Sequence, residues 1–422
     1  MLDRWFKKEK PLQGLTGMGG GVVRFGGAGG VEYWIAESRD GSVNAYGQHI
    51  DVNANGDIAV SAAPDPGNYV TELYDKDGTQ YWSKEMTSKG YGYANALLDS
   101  SGNVYHFGNR GGIKYNSSGS LQWNKFITAQ GGNIVGINHA EKDSSNNFYL
   151  ASSAESGSGG IYKIDSSGSL TAARRMQYSN QFDDVHVDSS GNVYATSSGD
   201  NDDVIILKMD SSFATTWVRK FGNYGDNFYS NCIAADSSGN VYAAGSGNMT
   251  NGKWFVKFNS SGTIQWQKTW NGTNIEDIHI DGNDNIYTTG AFSNIANITK
   301  WNSDGTVNFS RSIARADSSN EKGFGINTDS DGKILLTGLI KPGGGSDTSF
   351  LAKLPNDGSL NGTYGNYTIS DYSFPTISDT SHTVFTSFTY NNQDKTSVCS
   401  IADDSNGSVA NSNWTYSFQE IA

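Results

Sequence analysis

The chain has 422 residues and a formal net charge of −13 at pH 7, from 43 acidic and 30 basic side chains. This excess of carboxylates argues against a general nucleic-acid or anionic-membrane surface, because either surface needs clustered Lys and Arg. With 52 glycines, six prolines and turns rich in Ser, Thr, Asn and Asp, the composition is typical of a many-stranded all-β protein.

The first thirty residues differ from the rest of the chain. A short basic run is followed by a connector with nine glycines between positions 14 and 30, and no apolar run is long enough for a signal peptide or a membrane span. The segment also lacks the apolar alternation of a strand. We therefore predict that residues 1–30 form a basic, glycine-rich anchoring arm outside the core, with four apolar contact residues: Trp5, Phe6, Leu12 and Leu15.

Residues 31–44 hold a leading strand and a connector. The strand-like run EYWIAES (32–38) does not belong to any of the repeats that follow it. We expect this run to pair with the last structural unit of the chain, where it would help to close the fold and protect a sheet edge.

The rest of the chain, residues 45–422, is built from an internal repeat. The heptapeptide DSSGNVY occupies 99–105, 188–194 and 236–242, and looser copies begin at 53, 143, 281, 329 and 379. The spacings are 46, 44, 45, 48, 45, 48 and 50 residues. A fixed period in this range indicates a repeat architecture.

Each repeat predicts four short strands. In DSSGNVY the Gly and Asn can adopt positive φ and the Asp and Ser can accept from turn amides, so this stretch predicts a tight hairpin, and a second Asn/Asp-Ser-Gly turn follows it in each unit. Four antiparallel strands per 45 residues predict a β-propeller blade. We predict eight blades, with residues 365–422 as a divergent last blade; the alternative is seven blades plus a C-terminal β appendage.

Loop variability predicts which face of the disc makes contacts. The stereotyped turns share one face, and loops that differ from repeat to repeat share the other, which we therefore assign to binding. Aromatic residues are frequent there, as a platform for sugar rings or a partner protein; the alternative is packing between blades. The candidates are Tyr91, Tyr93, Tyr178, Phe182, Tyr224, Phe228, Tyr229 and Trp270.

The first strand of each repeat predicts a polar central channel. Positions three and one before the anchor residue of each turn are mostly apolar, so positions four and two before it face the other way. These positions hold four of the six histidines, and the candidate channel residues are His49, His139, His186, His279, Asp51, Asp184 and Asp277. Such a ring could hold a metal or an anion on the axis, but we favour hydrogen-bonded histidines in a hydrated channel and predict no metal.

Motifs for catalysis are missing from the sequence. We find no nucleophile elbow, zinc-protease motif, paired C-x-x-C or phosphate-binding loop. The two cysteines, Cys232 and Cys399, are too few for a disulfide framework. We therefore predict a protein that is not an enzyme and has no cofactor.

Three stretches carry a resemblance to known families. FGNYGDNFYSNCIAADSSGNVYAAGS (221–246) resembles β-propeller repeats of bacterial surface proteins and of tailed-phage virion proteins. KPLQGLTGMGGG (10–21) and LPNDGSLNGTYGNYT (354–368) resemble segments of tail and other virion proteins of marine phages. This resemblance implies a structural virion protein, of the tail fibre, adaptor or tail-tip type.

That setting implies several partners and a location. The propeller would contact the host surface, including its glycans, or a neighbouring subunit, and the N-terminal arm would bind other virion proteins. The resemblance implies several copies in a virion assembled in the host cytoplasm, with no nucleic acid bound and no membrane insertion. The alternatives are a bacterial surface or secreted carbohydrate-binding propeller and a capsid-surface decoration protein.

Overall fold

The computed structural model describes most of the repeat region and part of the C-terminal segment. The described residues are 33–39, 45–64, 68–86, 92–109, 111–128, 135–153, 159–176, 181–198, 203–221, 227–247, 252–343, 345–380, 384–385, 392–394, 400–403, 409–411 and 415–420. The arm of residues 1–30, with Trp5, Phe6, Leu12 and Leu15, lies outside them. Over the described ranges, no helix is long and apolar enough to cross a membrane.

The strands form seven four-stranded antiparallel sheets in a ring. The chain enters with β1 (Trp34–Arg39). Blade one contains β2 (Ala45–Val52), β3 (Ile58–Pro64), β4 (Tyr69–Tyr74) and β5 (Gln80–Met86). Blade two contains β6 (Ala94–Leu98), β7 (Val104–Gly108), β8 (Gly111–Tyr115) and β9 (Leu121–Thr128). Blade three contains β10 (Gly136–Lys142), β11 (Phe148–Ser153), β12 (Gly160–Ile164) and β13 (Leu170–Met176).

The next three blades repeat this order. Blade four contains β14 (Asp184–Val187), β15 (Val193–Ser198), β16 (Val204–Met209) and β17 (Thr215–Phe221). Blade five contains β18 (Tyr229–Ala235), β19 (Val241–Ser246), β20 (Lys253–Phe258) and β21 (Ile264–Trp270). Blade six contains β22 (Asp277–Ile280), β23 (Ile286–Phe292), β24 (Ile295–Trp301) and β25 (Val307–Arg315).

Blade seven joins the two ends of the repeat region. It contains β26 (Ser318–Thr328), β27 (Ile334–Pro342) and β28 (Thr348–Leu354), and its fourth strand is β1, which pairs Trp34 with Lys353. The first strands of neighbouring blades contact one another in cyclic order and surround the axis. The predicted propeller of four-stranded blades is confirmed, and the leading strand closes the ring as expected.

The C-terminal segment does not form an eighth blade, which corrects the assignment of residues 365–422. After the short β29 (Gly362–Tyr364), seven strands run around the circumference and each pairs with the outermost strand of a different blade. We call these seven strands the belt. They are β30 (Tyr367–Asp371), β31 (Ser378–Asp379), β32 (Val384–Phe385), β33 (Asn392–Asp394), β34 (Ser400–Asp403), β35 (Val409–Asn411) and β36 (Thr415–Glu420).

The belt visits the blades in the order six, five, four, three, two, one and seven. Its strands pair antiparallel with β25, β21, β17, β13, β9, β5 and β1 in turn. The outer edge of a blade presents unpaired N–H and C=O groups that attract another strand. The short C-terminal strands therefore pair with the outer edges of the seven blades and not with one another. The fold is seven blades plus a C-terminal β appendage, as in our alternative.

The repeated heptapeptide is explained by the hydrogen bonds of its Asp. In the copy at 99–105, Asp99 Oδ1 accepts from the amides of Ser101 (2.9 Å) and Asn103 (2.8 Å). Its Oδ2 accepts from Asn103 Nδ2 (2.8 Å) and from the Tyr105 hydroxyl (3.2 Å). Gly102 has a φ of 76°, which favours glycine. The copies at 143, 188 and 236 repeat these four bonds.

Neighbouring blades are also joined at larger radius. Apolar clusters lie between them; one contains Tyr194 and Ile206 of blade four with Ile233 and Val256 of blade five. Nearer the rim, tryptophan indoles donate to carbonyl oxygens of the next blade's second turn, over distances of 2.9–3.3 Å. These pairs are Trp82 with Ser117, Trp123 with Ser166, Trp217 with Ser260, and Trp266 with Ser303.

Candidate functional site: the central channel and its mouth

The innermost strands of the seven blades line a polar channel along the axis. The structure places all seven candidate channel residues on its wall: His49, Asp51, His139, Asp184, His186, Asp277 and His279. The alternation of the first strand explains this, because the intervening side chains, such as Ile50 and Val185, pack into the clusters between blades.

The channel consists of two chambers that share a waist. The mouth chamber has a volume of about 250 Å³ and the inner chamber about 150 Å³. Four side chains line both chambers and form the waist: His49, His139, Asp184 and Asp277. Below the waist, the ammonium of Lys142 in blade three contacts the carboxylate of Asp51 in blade one, so this ion pair reaches past blade two.

The channel carboxylates bind the backbone of the next blade. Asp51 Oδ2 accepts from the Leu98 amide at 2.8 Å. Asp184 Oδ2 accepts from the Ile233 amide at 2.7 Å. Asp277 accepts from the Ile326 amide at 2.8 Å, and Glu141 accepts from the Val187 amide at 3.1 Å, in each case from the next blade. These carboxylates therefore hold the inner ring together.

Two of the channel histidines are held neutral. His49 Nδ1 donates to the Ala96 carbonyl at 2.9 Å, and His279 Nε2 lies 2.9 Å from Thr328 Oγ1. Burial lowers the pKa of His49 to about 4, and the neighbouring His139 adds to this effect. Burial likewise lowers the pKa of His279 to about 4.

The other two histidines favour the protonated form. Burial opposes the charge on His139, but contact of its Nδ1 with Asp184 outweighs burial and raises its pKa to about 9. His186 Nδ1 lies 2.9 Å from Glu141 Oε2, and this carboxylate raises the pKa of His186 against the effect of burial. Burial raises the pKa of Asp277 to about 7, although His139 acts in the opposite direction.

The donor set of the channel does not resemble a metal centre. Within the described residues, no group of three or more His, Cys, Asp or Glu side chains is placed to hold a metal ion. Cys232 is buried beside the channel, and burial raises the pKa of its thiol well above the ordinary value. Neither observation supports a cofactor.

The mouth chamber contains a ring of side chains that strict alternation misses. Gln48, Asn138 and Asn231 lie at β-bulges, where the pairing of the first strand shifts by one residue. Asp183 and Glu276 occupy the same position just before β14 and β22. All five precede their turn anchor by five residues and line the mouth, so a repeated polar column in the sequence was the available signal.

The predicted aromatic platform is only partly exposed. Phe182, Phe228 and Trp270 are at most 1 % exposed and belong to clusters between blades, so a contact role for these three is wrong. They are inter-blade wedges because large apolar rings are needed where the blades diverge. Tyr93 and Tyr229 are 56 % and 51 % exposed. The remaining candidates, Tyr91, Tyr178 and Tyr224, lie outside the described residues.

Comparison with known proteins gives a family match over a small part of the chain. Residues 216–253 match the model of the SBBP family, described as a β-propeller repeat. No curated protein sequence matches the chain.

Several solved structures are similar in fold. The Dos1 propeller is 12 % identical with a TM-score of 0.47, over 76 % of this chain and 94 % of that one. The gluconolactonase XC5397 from Xanthomonas campestris is 10 % identical with a TM-score of 0.40, over 75 % and 88 %. The WD40 domain of Toxoplasma gondii coronin is 9 % identical with a TM-score of 0.44, over 77 % and 88 %. Likenesses at this level carry no information on activity.

Proposed function

We propose that this protein is a non-catalytic structural component of a tailed-phage particle, a tail component of the fibre, adaptor or tail-tip type, and that its propeller is a contact module. The observation that carries the contact role is the exposure of Tyr93, which lines an open polar cavity, and of Tyr229, which directly precedes the lining residue Ser230. Half-exposed tyrosines at the rim of a cavity are typical of surfaces that bind sugars or proteins.

The opposite face offers less to a partner. Its turns are stereotyped, and their polar side chains are used within the turn, as in the four hydrogen bonds of Asp99. Two apolar side chains, Tyr81 and Leu121, are exposed beside these turns at 56 % and 49 %, and neither lines the two chambers of the channel. The mouth face is therefore the better contact surface.

The absence of catalysis in this proposal is supported by the engagement of the channel groups. Asp51, Asp184 and Asp277 each accept from a backbone amide of the next blade. Each of these bonds joins two blades, which gives the three carboxylates a structural role that requires no catalysis.

The phage setting is supported by the resemblance of three sequence stretches, and it includes the anchoring arm and several copies per virion. Mass spectrometry of purified virions tests it directly, since a particle component is recovered in proportion to the major capsid protein. A chain that begins at Val31 should fold with unchanged thermal stability and yet be missing from particles. Incorporation of this shortened chain at the normal level would contradict the arm as anchor.

The contact role has its own test. Lysine substitution of both Tyr93 and Tyr229 should weaken adsorption to host cells without a change in the melting transition, because both side chains are exposed. A Tyr81→Lys variant on the opposite face is the matched control. If the double variant adsorbs like the unmodified protein, the mouth face is not the contact surface. A secreted carbohydrate-binding propeller remains the second candidate, and it predicts export without any particle.

A further inference from the structure

We propose that the mouth chamber binds one ring of a neutral or amino sugar and discriminates against acidic sugars. This inference rests on the proposed contact function and names the ligand of that face. It is carried by the shape of the chamber, by the fixed orientation of its amide side chains, by one exposed aromatic ring and by its charge.

The size of the chamber suits a single sugar ring. Its volume of about 250 Å³ lies just under the range of roughly 300–1,000 Å³ that is typical of sites for drug-sized ligands. The waist of His49, His139, Asp184 and Asp277 limits the depth to which a ligand can enter. A terminal or branching ring would therefore enter the chamber while the rest of the glycan stays outside.

The amide side chains of the mouth are oriented in advance. Asn138 Nδ2 donates to the Phe182 carbonyl at 2.7 Å, and Asn231 Nδ2 donates to the Ile275 carbonyl at 2.7 Å. Because a carbonyl can only accept, these bonds fix which end of each amide is the nitrogen. Each Oδ1 then remains as an acceptor for a ligand hydroxyl.

A donor and two carboxylates complete this set. Gln48 Oε1 accepts from the Ala94 amide, which leaves its Nε2 as a donor. Asp183 accepts from the hydroxyls of Ser198 and Ser230, so its position is fixed. Glu276 Oε1 accepts from Asn274 Nδ2 at 2.9 Å. Sugar hydroxyls both donate and accept, and such an array of amides and carboxylates offers them partners of both kinds.

The aromatic ring supplies the apolar contact. Tyr93 lines the chamber and is 56 % exposed, so one face of its ring is available to the C–H face of a sugar. Asp183 and Glu276 line the same chamber as this ring, so both carboxylates lie near a ligand that packs against it.

The charge of the mouth selects against anions. Four carboxyl groups line it, those of Asp183, Asp184, Glu276 and Asp277, against the one imidazole that is protonated at neutral pH, His139. With a pKa of about 7, Asp277 is only partly ionised at neutral pH, so the other three carboxylates supply most of the negative charge. A uronic or sialic acid would meet this excess of negative charge at short range. A neutral ring would not, and a protonated amino group would be attracted.

The test is a titration of the full-length protein with the methyl glycosides of glucose, galactose, glucosamine and glucuronic acid, followed by saturation-transfer NMR. We expect at least one of the first three to bind, with a Kd on the order of 1 mM, and the glucuronide to give no transfer. Tyr93→Ala should weaken binding roughly tenfold. Tyr229→Ala is the control, since Tyr229 is similarly exposed but does not line the chamber.

The outcomes separate this inference from the contact function. Absence of transfer from all four glycosides, preference for the glucuronide, or a Tyr93→Ala variant with unchanged affinity would each overturn the sugar site. If the glycosides bind as expected while the lysine variants of Tyr93 and Tyr229 adsorb normally, the sugar site stands and the phage contact role fails. If adsorption depends on these tyrosines but no glycoside binds, the face contacts protein and the sugar site is wrong.

Discussion

Closure of the ring depends on a buried charged cluster that joins three parts of the chain. Glu37 of β1 and Arg315 of β25 are each 5 % exposed, and Arg315 Nε lies 2.7 Å from Glu37 Oε1. The Tyr367 hydroxyl, at the start of the belt, donates to the same carboxylate oxygen at 2.7 Å. Arg315 also contacts the carboxylate of Asp317 at the surface. Replacement of Glu37 by Gln keeps the shape of the side chain but removes its charge.

The size of the stability loss follows from the burial of the Glu37–Arg315 ion pair. Removal of one partner from a buried ion pair costs about 3–5 kcal/mol, because the other charge stays buried without compensation. Asp317 can offset part of this cost, but its side chain is 56 % exposed and its attraction is screened by water. We therefore expect Glu37→Gln to lower the free energy of unfolding by about 3 kcal/mol, the lower end of that range.

The assay is urea unfolding followed by tryptophan fluorescence and by circular dichroism, whose coincidence checks two-state behaviour. The matched control is Asp379→Asn, since Asp379 pairs with Lys268 but its side chain is 83 % exposed, and this change should cost less than about 1 kcal/mol. Replacement of both Glu37 and Arg315 by Met should cost much less than the two single changes together. Additive costs, or a Glu37→Gln variant as stable as the control, would refute the assignment of this cluster to ring closure.

Four further outcomes are expected. The pKa of His139 is about 9, above its ordinary value of 6.5, so its contribution to stability is complete below pH 6.5 and is lost as pH rises through 9. The variant His139→Gln should therefore flatten the dependence of stability on pH over that window, by on the order of 1–3 kcal/mol. The pKa of His49 is about 4, so its contribution to stability is present above pH 6.5 and is lost as pH falls toward 4. The variant His49→Gln should flatten the dependence of stability on pH only on the acid side. Each of the two histidine variants is therefore the control of the other in pH-dependent melting. Asp99→Ala should cost about 2–4 kcal/mol in urea unfolding, because four donors lose their acceptor in a buried turn, whereas the same change at the more exposed Asp165 should cost less. A chain that ends at residue 361 lacks the belt and should show faster amide exchange in the outer strands and a tendency to self-associate; exchange and gel-filtration profiles identical to those of the full chain would contradict an edge-protecting role.

The blade could be predicted because its determinants are local. Asp99 and Tyr105 are six residues apart, and every bond of the turn is made within that distance. The partner of a strand is a different matter. The weak repeat at Asp379 does mark a strand, β31, but this strand pairs with β21, 111 residues earlier at the contact of Asp379 with Lys268. The local sequence pattern identifies a strand but does not identify the sheet edge with which the strand pairs. For this reason an eighth blade was expected where the belt is found.

The candidate site was predicted to the same extent and for the same reason. Alternation correctly places His49 and Asp51 on one side of β2, because it follows from the pleat. It does not place Gln48, since the bulge between Gly47 and His49 turns an extra residue toward the axis. The bulge recurs at Asn138 and Asn231. Regular alternation, which does not allow for bulges, predicts that the side chains at these positions face away from the axis.

Different positions of the innermost strand have different roles in the channel. Residues four and two before the anchor, such as Asp51 and Asp184, are bonded to the next blade and cannot be changed without loss of cohesion. The bulged column, such as Asn138 and Asn231, uses one end of each amide for cohesion and leaves the other at the mouth. Because apolar clusters and the tryptophan bonds hold the blades together at larger radius, substitutions in this column should alter ligand preference at a smaller cost in stability than substitutions in the other two. Comparison of Asn231→Ala with Asp184→Ala, by melting and by glycoside titration, measures that difference: a larger loss of stability in the Asn231 variant would refute the division.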